Sequence, residues 1–294
     1  MKIKSVGIIS PGDMGSAIGK VLSNSGLEVI TCLEGRSELT RLRAQESGMR
    51  NTPSVDRLVT EVELILSVLV PSEALALAEL IAGSVRRTGC HPAYADLNAI
   101  APQTVMKINS VMNNAGVTFI DGGIIGSPPK LGRSNTRFYC SGPDTAALES
   151  LAQSGLDVRR LGPRIGQASG LKMVYAASTK GITALWTELL LAAKALGLEE
   201  PLMSEFKLSG VNISEVLRDS IPSMPRRSRR WFGEMEEIAA TFEGVGLTPR
   251  ILLGAADMYR LVSETQLAGQ TSREPDPTAD TVLQVLNNRL GAAK

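Results

Sequence analysis

The side chains that most often carry metal, redox or acid–base chemistry are scarce in this chain of 294 residues. It has three cysteines, Cys32, Cys90 and Cys140, which are far apart and odd in number. This spacing is unlike that of a metal site, so we expect reduced thiols and no bound metal. The single histidine, His91, precedes a proline in a predicted loop. We therefore expect acid–base chemistry to use another residue type.

The chain also lacks a strong net charge and a long apolar segment. Its formal net charge is +1, and no apolar run reaches the roughly 20 residues that span a bilayer. Nucleic acid and membranes are therefore not expected partners. No apolar segment with a cleavage site follows Met1, so we expect a cytoplasmic protein whose partner is a small molecule. Hydrophobic residues make up 43% and charged residues 21%, which is typical of globular chains with one or two cores.

A glycine-spaced turn near the N-terminus gives the first functional signal. The apolar segment Val6–Ile9 is followed by Ser10-Pro11-Gly12-Asp13-Met14-Gly15 and then by apolar residues at helical spacing. This strand, turn and helix pattern is typical of dinucleotide sites, in which the helix N-terminus faces the pyrophosphate. Gly12 admits the phosphates and Gly15 lets the helix pack on the strand. Ser10 stands where the full fingerprint has a glycine, and a second predicted strand, Glu28–Leu33, completes the unit.

The end of that second strand indicates which dinucleotide binds. NAD sites usually have an acidic residue there for the ribose 2′-hydroxyl, whereas the 2′-phosphate of NADP needs a cation and hydroxyl groups. Arg36 and Ser37 meet the second requirement, and Glu34 meets the first. We predict NADP as the cofactor, with NAD as the alternative.

Strands and helices alternate through the first half of the chain. We predict strands over 64–70, 93–97, 118–121 and 158–161, and helices over 39–47, 72–85 and 102–114. This alternation predicts an α/β Rossmann domain with a doubly wound parallel sheet over residues 1–164. Residues 165–294 are predicted to form an all-helical domain that begins with a long interdomain helix over 166–196. Because so long a helix needs partners along its length, we expect a homodimer formed through the helical domains.

Five segments resemble the β-hydroxyacid dehydrogenase superfamily, which includes 3-hydroxyisobutyrate and 6-phosphogluconate dehydrogenases. They occur in the order of that superfamily: Ser10–Gly15, Arg36-Ser37, Val68-Leu69-Val70-Pro71, Asp96–Pro102 and Asp121–Ser127. The resemblance covers essentially the whole chain, and is greatest to a subgroup of mostly unknown function with a short, distinct helical C-terminal domain. It implies hydride transfer between the nicotinamide and the carbonyl or alcohol carbon of a small acidic substrate. Val68 to Pro71 would line the nicotinamide.

The resemblance also implies that Lys172 is the general acid and base. Lys172 lies near the start of the long predicted helix among Leu171, Met173 and Val174, and an apolar setting favours an uncharged amine. Lys180, on nearly the same helical face, is the alternative. By the same resemblance Asn98 occupies the place of a serine or threonine that faces the nicotinamide and the substrate.

The chain also departs from the superfamily in groups that would hold the substrate. Ala176 and Ile125 replace an asparagine and a serine that hold the substrate, and Ser127 is the candidate replacement. The candidate substrate residues in these two segments are Gly122, Gly123, Ile125, Tyr175 and Ala176.

A basic segment of the helical domain offers a second anchor for the substrate. Pro225–Trp231 contains four arginines, and we predict that Arg229 or Arg230 binds an acidic group with Trp231 stacked beside it. The alternative is a solvated helix face that pairs with the acidic residues that follow. Two alternatives also apply to Lys130 and Arg133. Their loop either closes over the substrate or is a turn without a role in binding.

Two other functions fit the same fold. Imine reductases share the architecture, but they often have an aspartate or tyrosine at the lysine position, so Lys172 argues against this function. A sensor that binds the cofactor without catalysis is the other possibility, since Ala176 and Ile125 remove two substrate-holding groups.

Overall fold

The computed structural model describes residues 3–132, 135–270 and 274–292. The chain divides into two compact units, Met1–Met173 and Val174–Lys294. The division falls within a helix, later than the predicted domain boundary. Across the described residues, no helix is both long and apolar enough to cross a membrane.

An eight-stranded sheet forms the first unit. Its strands are β1 (Ser5–Ile9), β2 (Glu28–Cys32), β3 (Arg50–Thr52), β4 (Leu64–Ser67), β5 (Ala93–Asp96), β6 (Phe119–Ile125), β7 (Arg137–Ser141) and β8 (Asp157–Gly162). Their order across the sheet is β3-β2-β1-β4-β5-β6-β7-β8. The first six strands are parallel, whereas β7 runs antiparallel to β6 and parallel to β8. The predicted Rossmann sheet is therefore confirmed, with an antiparallel pair near one edge because β6 and β7 are joined directly as a hairpin.

Helices cover both faces of this sheet. They are α1 (Asp13–Asn24), α2 (Glu38–Glu46), α3 (Val55–Glu61), α4 (Ala74–Thr88), α5 (Pro102–Asn114), α6 (Ala146–Glu149) and α7 (Gln167–Ala176). One apolar core lies beneath α1, α2 and α6, with Ile18 and Leu22 fully buried. The other lies beneath α3, α4 and α5, with Ile81 and Ile108 fully buried. This arrangement leaves the carboxyl edge of the parallel strands for ligands.

The second unit consists of helices. They are α8 (Ile182–Leu196), α9 (Glu199–Leu208), α10 (Ile221–Ser223), α11 (Pro225–Glu243), α12 (Arg250–Ser263) and α13 (Ala279–Ala292). A π-helical turn, Ala177–Gly181, joins α7 to α8, so the predicted long helix is confirmed with a wider turn in its middle. α11 and α12 pack along each other and bury Met235, Ile238 and Tyr259. Ile182 of α8 is exposed in the single chain. The predicted homodimer through the helical domains stays a prediction.

Candidate functional site

The turn between β1 and α1 has the geometry of an anion site. Ser10 has a φ of +65°, and its carbonyl accepts a hydrogen bond of 2.7 Å from the Gly12 N–H. A Cβ on Gly15 would lie 3.3 Å from the Ser10 carbonyl oxygen and 3.4 Å from Ile8, so a glycine lets α1 pack closely on β1. No side chain caps α1, and apart from Gly12 and its two chain neighbours no described residue has an atom within 4 Å of the place where a Cβ on Gly12 would be. The N-terminus of α1 therefore faces open space, as dinucleotide binding requires.

The left-handed backbone of Ser10 predicts a measurable strain. A non-glycine residue in this region costs about 1–2 kcal/mol, and a β-branched side chain costs more. We expect Ser10→Gly to raise the free energy of unfolding by up to about 1 kcal/mol, because a more flexible unfolded chain offsets part of the relief. Ser10→Val should lower it by about 1–2 kcal/mol. Urea unfolding without cofactor measures both changes, and equal stability of the two variants would contradict the strain.

Arg41 helps to hold the loop that would receive the adenosine ribose. Arg41 donates from Nη2 to the Leu33 carbonyl at 2.7 Å and from Nε to the Arg36 carbonyl at 3.2 Å. Gly35 adopts a φ of +67° between these carbonyls. The Ser37 hydroxyl accepts the Thr40 N–H at 3.3 Å and so caps α2. The sequence patterns do not single out Arg41, since its partners are main-chain atoms.

A cleft of about 360 Å³ opens beside this loop. Glu34 and Arg36 are exposed at its edge, and Asp56 and Arg87 also line it. Arg87 binds Asp56 through two hydrogen bonds of 2.6 and 3.0 Å, and this guanidinium lowers the pKa of the Asp56 carboxyl to about 2. Arg36 forms no ion pair with a carboxylate in the described ranges. The cleft thus offers one guanidinium that is available to a ligand anion, and Glu34 beside it.

Asn98 holds the loop that follows β4. Its Nδ2 donates to Ser67 Oγ at 2.7 Å and to Asp96 Oδ2 at 3.0 Å, and its Oδ1 accepts the Leu69 N–H at 2.6 Å. Burial raises the pKa of Asp96 to about 7, although the hydrogen bonds from Asn98 oppose this. Asn98 is itself buried. The structure thus gives Asn98 a role in shaping the predicted nicotinamide segment 68–71, and its contact with substrate stays a prediction.

Within that segment the side chains differ in exposure. Val68 and Leu69 are half-buried, whereas Val70 is 46% exposed and precedes the short 3-10 turn Pro71–Glu73. Val70 is therefore available to a ligand at the carboxyl edge of the sheet.

Glycines of β6 bring Lys172 to the same edge. Asp121 on β6 pairs with Asp96, the last residue of β5, so that β6 continues beyond the carboxyl end of its neighbour. A Cβ on Gly123 would lie 2.9 Å from Lys172 Cβ and 2.8 Å from the Ala168 carbonyl oxygen. Only a glycine at this position lets α7 lie so close to β6. The structure thus places Lys172 directly against the predicted substrate segment.

The carboxylate of Asp121 caps α7. Its Oδ2 accepts the Ser141 hydroxyl at 2.7 Å and the N–H groups of Gly166 and Ala168 at 2.9 Å, and the Ser169 N–H lies 3.3 Å away. Asp121 is fully buried, and burial raises its pKa although these donors oppose the rise. Sequence reasoning treated Asp121 only as part of a motif. Its partners are too distant in sequence for a local pattern to identify this cap.

The remaining predicted substrate residues of the first unit differ in burial and in the contacts they make. Ile125 is 3% exposed, so its side chain is part of the interior. Ser127 is exposed, and its carbonyl accepts the Thr136 hydroxyl, which closes the base of the β6–β7 loop. A Cβ on Gly122 would lie 2.8 Å from the Asp96 carbonyl oxygen, so Gly122 serves close strand packing. Lys130 is exposed, and Arg133 lies outside the described residues.

The second unit holds the other predicted residues. Tyr175 is 44% exposed, whereas Ala176 is buried. Lys180 is buried, with its Nζ 2.9 Å from Glu234 Oε2, and Arg230 Nε lies 3.0 Å from Glu234 Oε1. Lys180, the alternative catalytic lysine, is thus held in an ion pair.

Comparison with known proteins identifies the family of the sheet unit. Residues 5–153 match the NAD binding domain of 6-phosphogluconate dehydrogenase. The chain belongs to this family. The predicted resemblance is confirmed, and the 6-phosphogluconate dehydrogenase match spans β1 to the turn after α6. Residues 193–262 match a domain of unknown function, DUF1932, which covers α9 to α11 and nearly all of α12.

Relatives extend the similarity to the whole chain. An uncharacterized 28.5 kDa protein from Methanothermus fervidus is 26% identical over 88% of this chain and 99% of its own. The structure of MTH1747, described as similar to 3-hydroxyacid dehydrogenases, is 29% identical over 91% of this chain and 100% of its own, with a TM-score of 0.66. A Mycobacterium tuberculosis 3-hydroxyisobutyrate dehydrogenase is 16% identical over 97% of this chain and 99% of its own, with a TM-score of 0.68. The fold is that of NAD(P)-binding β-hydroxyacid dehydrogenases.

The family assignment agrees with the geometry of the turn. An NAD(P) pyrophosphate fits the uncapped N-terminus of α1 and the open space at Gly12. The fingerprint has a glycine at the position of Ser10. Ser10 adopts a positive φ, a conformation that glycine adopts readily, so the turn has this shape although the residue is a serine. The cleft beside Arg36 fits the ribose end.

Proposed function

We propose that this protein is an NADP-dependent oxidoreductase of the β-hydroxyacid dehydrogenase type. The nicotinamide, when bound, would supply or accept the hydride at the carbonyl or alcohol carbon of a small acidic substrate. The observation that carries the proposal is the contact of α7 with β6, in which Gly123 admits Lys172 at the carboxyl edge of the sheet. Dinucleotides bind along this edge in doubly wound folds.

Each residue then has a defined task. The N–H groups at the start of α1 bind the pyrophosphate, and Arg36 binds the 2′-phosphate. Val70 and Pro71 would line the nicotinamide, and Asn98 holds their loop through Leu69. The Lys172 amine donates a proton to the substrate oxygen during reduction and removes it during oxidation.

Substrate identity is open to a direct search. The purified protein is incubated with NADPH or NADH and a panel of 2- and 3-oxo acids, aldehydes and imines, and oxidation is followed at 340 nm. We expect turnover of at least one acidic carbonyl compound, with NADPH preferred. Turnover of imines alone would replace the proposal by imine reduction. Tight NADPH binding with no turnover of any compound would favour a sensor.

Cofactor preference rests on two neighbouring side chains. A hydrogen-bonded charge pair contributes about 1.5–3 kcal/mol, so Arg36→Ala should raise the Kd for NADPH about 10- to 100-fold and leave the Kd for NADH within about twofold. Glu34→Gln should have little effect on NADPH binding. Fluorescence titration of the bound nicotinamide measures both.

The opposite pattern would assign the site to NAD. If Glu34→Gln weakens NADH binding more than tenfold while Arg36→Ala affects both cofactors equally, Glu34 binds the ribose hydroxyls. Arg250→Ala, an exposed arginine of the other unit, serves as the control for the loss of one positive charge.

A further inference from the structure

The first two turns of α11 carry four arginines beside one tryptophan. Two of these arginines are paired. Arg226 donates to the two carboxylate oxygens of Asp276 at 2.6 and 3.0 Å, and Arg230 Nε lies 3.0 Å from Glu234. Arg227 differs from both, because it is half-buried and packs on an aromatic ring.

The indole of Trp231 holds two cations. The Arg227 guanidinium carbon lies 5.6 Å from the ring centroid, and Lys180 Nζ lies 5.7 Å from it. Tyr259 packs edge to face against the indole at 5.2 Å, and its hydroxyl donates to the Lys180 carbonyl at 2.6 Å. Trp231 is therefore a fixed support for cations, which differs from the substrate-stacking role that the sequence predicts.

Arg227 lacks the carboxylate partner that Arg226 and Arg230 each have. Glu234 binds two cations, since Lys180 Nζ lies 2.9 Å from Oε2 and Arg230 contacts Oε1. Arg227 forms no ion pair with a carboxylate of the residues that the structure describes. Burial lowers the pKa of Arg227 and the adjacent Arg226 and Arg230 lower it further, whereas the Asp276 carboxylate, which Arg226 already binds, opposes this. A partly desolvated cation among other cations is unfavourable until an anion neutralises it.

We propose that Arg227 binds an oxyanion, a carboxylate or a phosphate, through the edge of its guanidinium. A planar guanidinium donates two parallel hydrogen bonds to such a group, and the Trp231 ring at its face holds it in place. This site belongs to the helical unit and is formed by residues of α11, α12 and the π-helical turn. The inference goes beyond the proposed function, because it identifies the oxyanion only by its chemical class.

The site can be tested without cofactor or substrate. The chain has two tryptophans, so Trp186→Phe leaves Trp231 as the only indole. The variant is titrated with inorganic phosphate, and separately with acetate and benzoate, at an ionic strength held constant with sodium chloride. We expect a saturable change in Trp231 emission with a Kd of roughly 1–10 mM, as one charge-assisted site provides.

Substitutions of Arg227 then separate binding from a general salt effect. In the Trp186→Phe background, Arg227→Gln should weaken the response at least tenfold. Arg227→Lys, which keeps the charge and loses the fork, should weaken it less. Arg250→Gln, which removes an exposed charge of α12, should leave it unchanged. Circular dichroism melting checks that each variant is folded.

The outcomes of the titration identify the class of oxyanion, and they separate failure of the anion site from failure of the proposed function. A response to phosphate alone indicates a phosphorylated ligand, and a response to carboxylates indicates an organic acid. No saturable response to any oxyanion, or an equal response in Arg227→Gln, overturns the site. The titration contains no cofactor, so its result does not depend on the oxidoreductase activity. Turnover on the substrate panel together with no Trp231 response would support the proposed function and exclude the anion site.

Discussion

Replacement of Lys172 by methionine should lower turnover roughly a thousandfold and leave the Kd for NADPH within about twofold. Methionine keeps the unbranched apolar part of the side chain and the Cβ beside Gly123, but it removes the amine that exchanges a proton with the substrate oxygen. Hydride transfer without that proton leaves a negative charge on the oxygen. The measurement is kcat on the best substrate of the panel, together with NADPH titration.

Two comparisons sharpen this expectation. Lys107→Met removes an exposed lysine of α5 and should keep wild-type turnover. If Lys172→Met keeps more than a tenth of the wild-type kcat, another group moves the proton, and Lys180 is the first to examine. A parallel rise in the Kd for NADPH would instead mean that Lys172 contributes to cofactor binding.

Asp121→Ala should lower the free energy of unfolding by about 3 kcal/mol, because it leaves buried N–H donors at the start of α7 without their acceptor. The Ser141 hydroxyl loses its acceptor as well, and keeps only the hydrogen bond that it accepts from the Ala168 N–H at 3.0 Å. We expect a fall in the melting temperature of roughly 5–10 °C. Because α7 carries Lys172, kcat should fall further than the loss of folded protein explains, while the NADPH Kd changes little.

Thermal unfolding by circular dichroism and steady-state kinetics measure these effects. Asp121→Asn keeps the side-chain volume and one acceptor oxygen, so it should recover part of both losses. Asp144→Ala removes an exposed aspartate that accepts the Ala146 N–H at 3.0 Å, and it should cost less than about 1 kcal/mol. Equal losses for Asp121→Ala and Asp144→Ala would contradict a buried cap.

Local patterns predicted the elements whose signals are local. The helix Pro102–Asn114 has the predicted bounds, because a proline at its first position and apolar periodicity mark it. The edge strand Arg50–Thr52 was missed, since three polar residues carry no strand pattern. The antiparallel direction of β7 was missed for another reason. Strand direction depends on pairing, which periodicity does not reveal.

The same limit applies to the candidate site: its local motifs were predicted from the sequence, and its tertiary contacts were not. Glycine spacing located the turn after β1, and the resemblance placed Lys172 near the substrate segment. The partners of Asp121 and of Arg227 depend on tertiary contacts, so no window of sequence contains them. For the same reason the sequence pattern indicated Arg229 or Arg230 as the anion ligand and not Arg227, and it did not reveal that Arg230 pairs with Glu234.

The two main-chain contacts of Arg41 bear on how cofactor preference evolves. Because Arg41 binds the carbonyls of Leu33 and Arg36 rather than their side chains, these two contacts do not depend on which side chains occupy positions 34 and 36. Substitutions there can change the charge offered to the ribose with little cost in folding. A lineage that keeps Arg41 can thus exchange one dinucleotide for the other through few mutations, each passing through a folded intermediate.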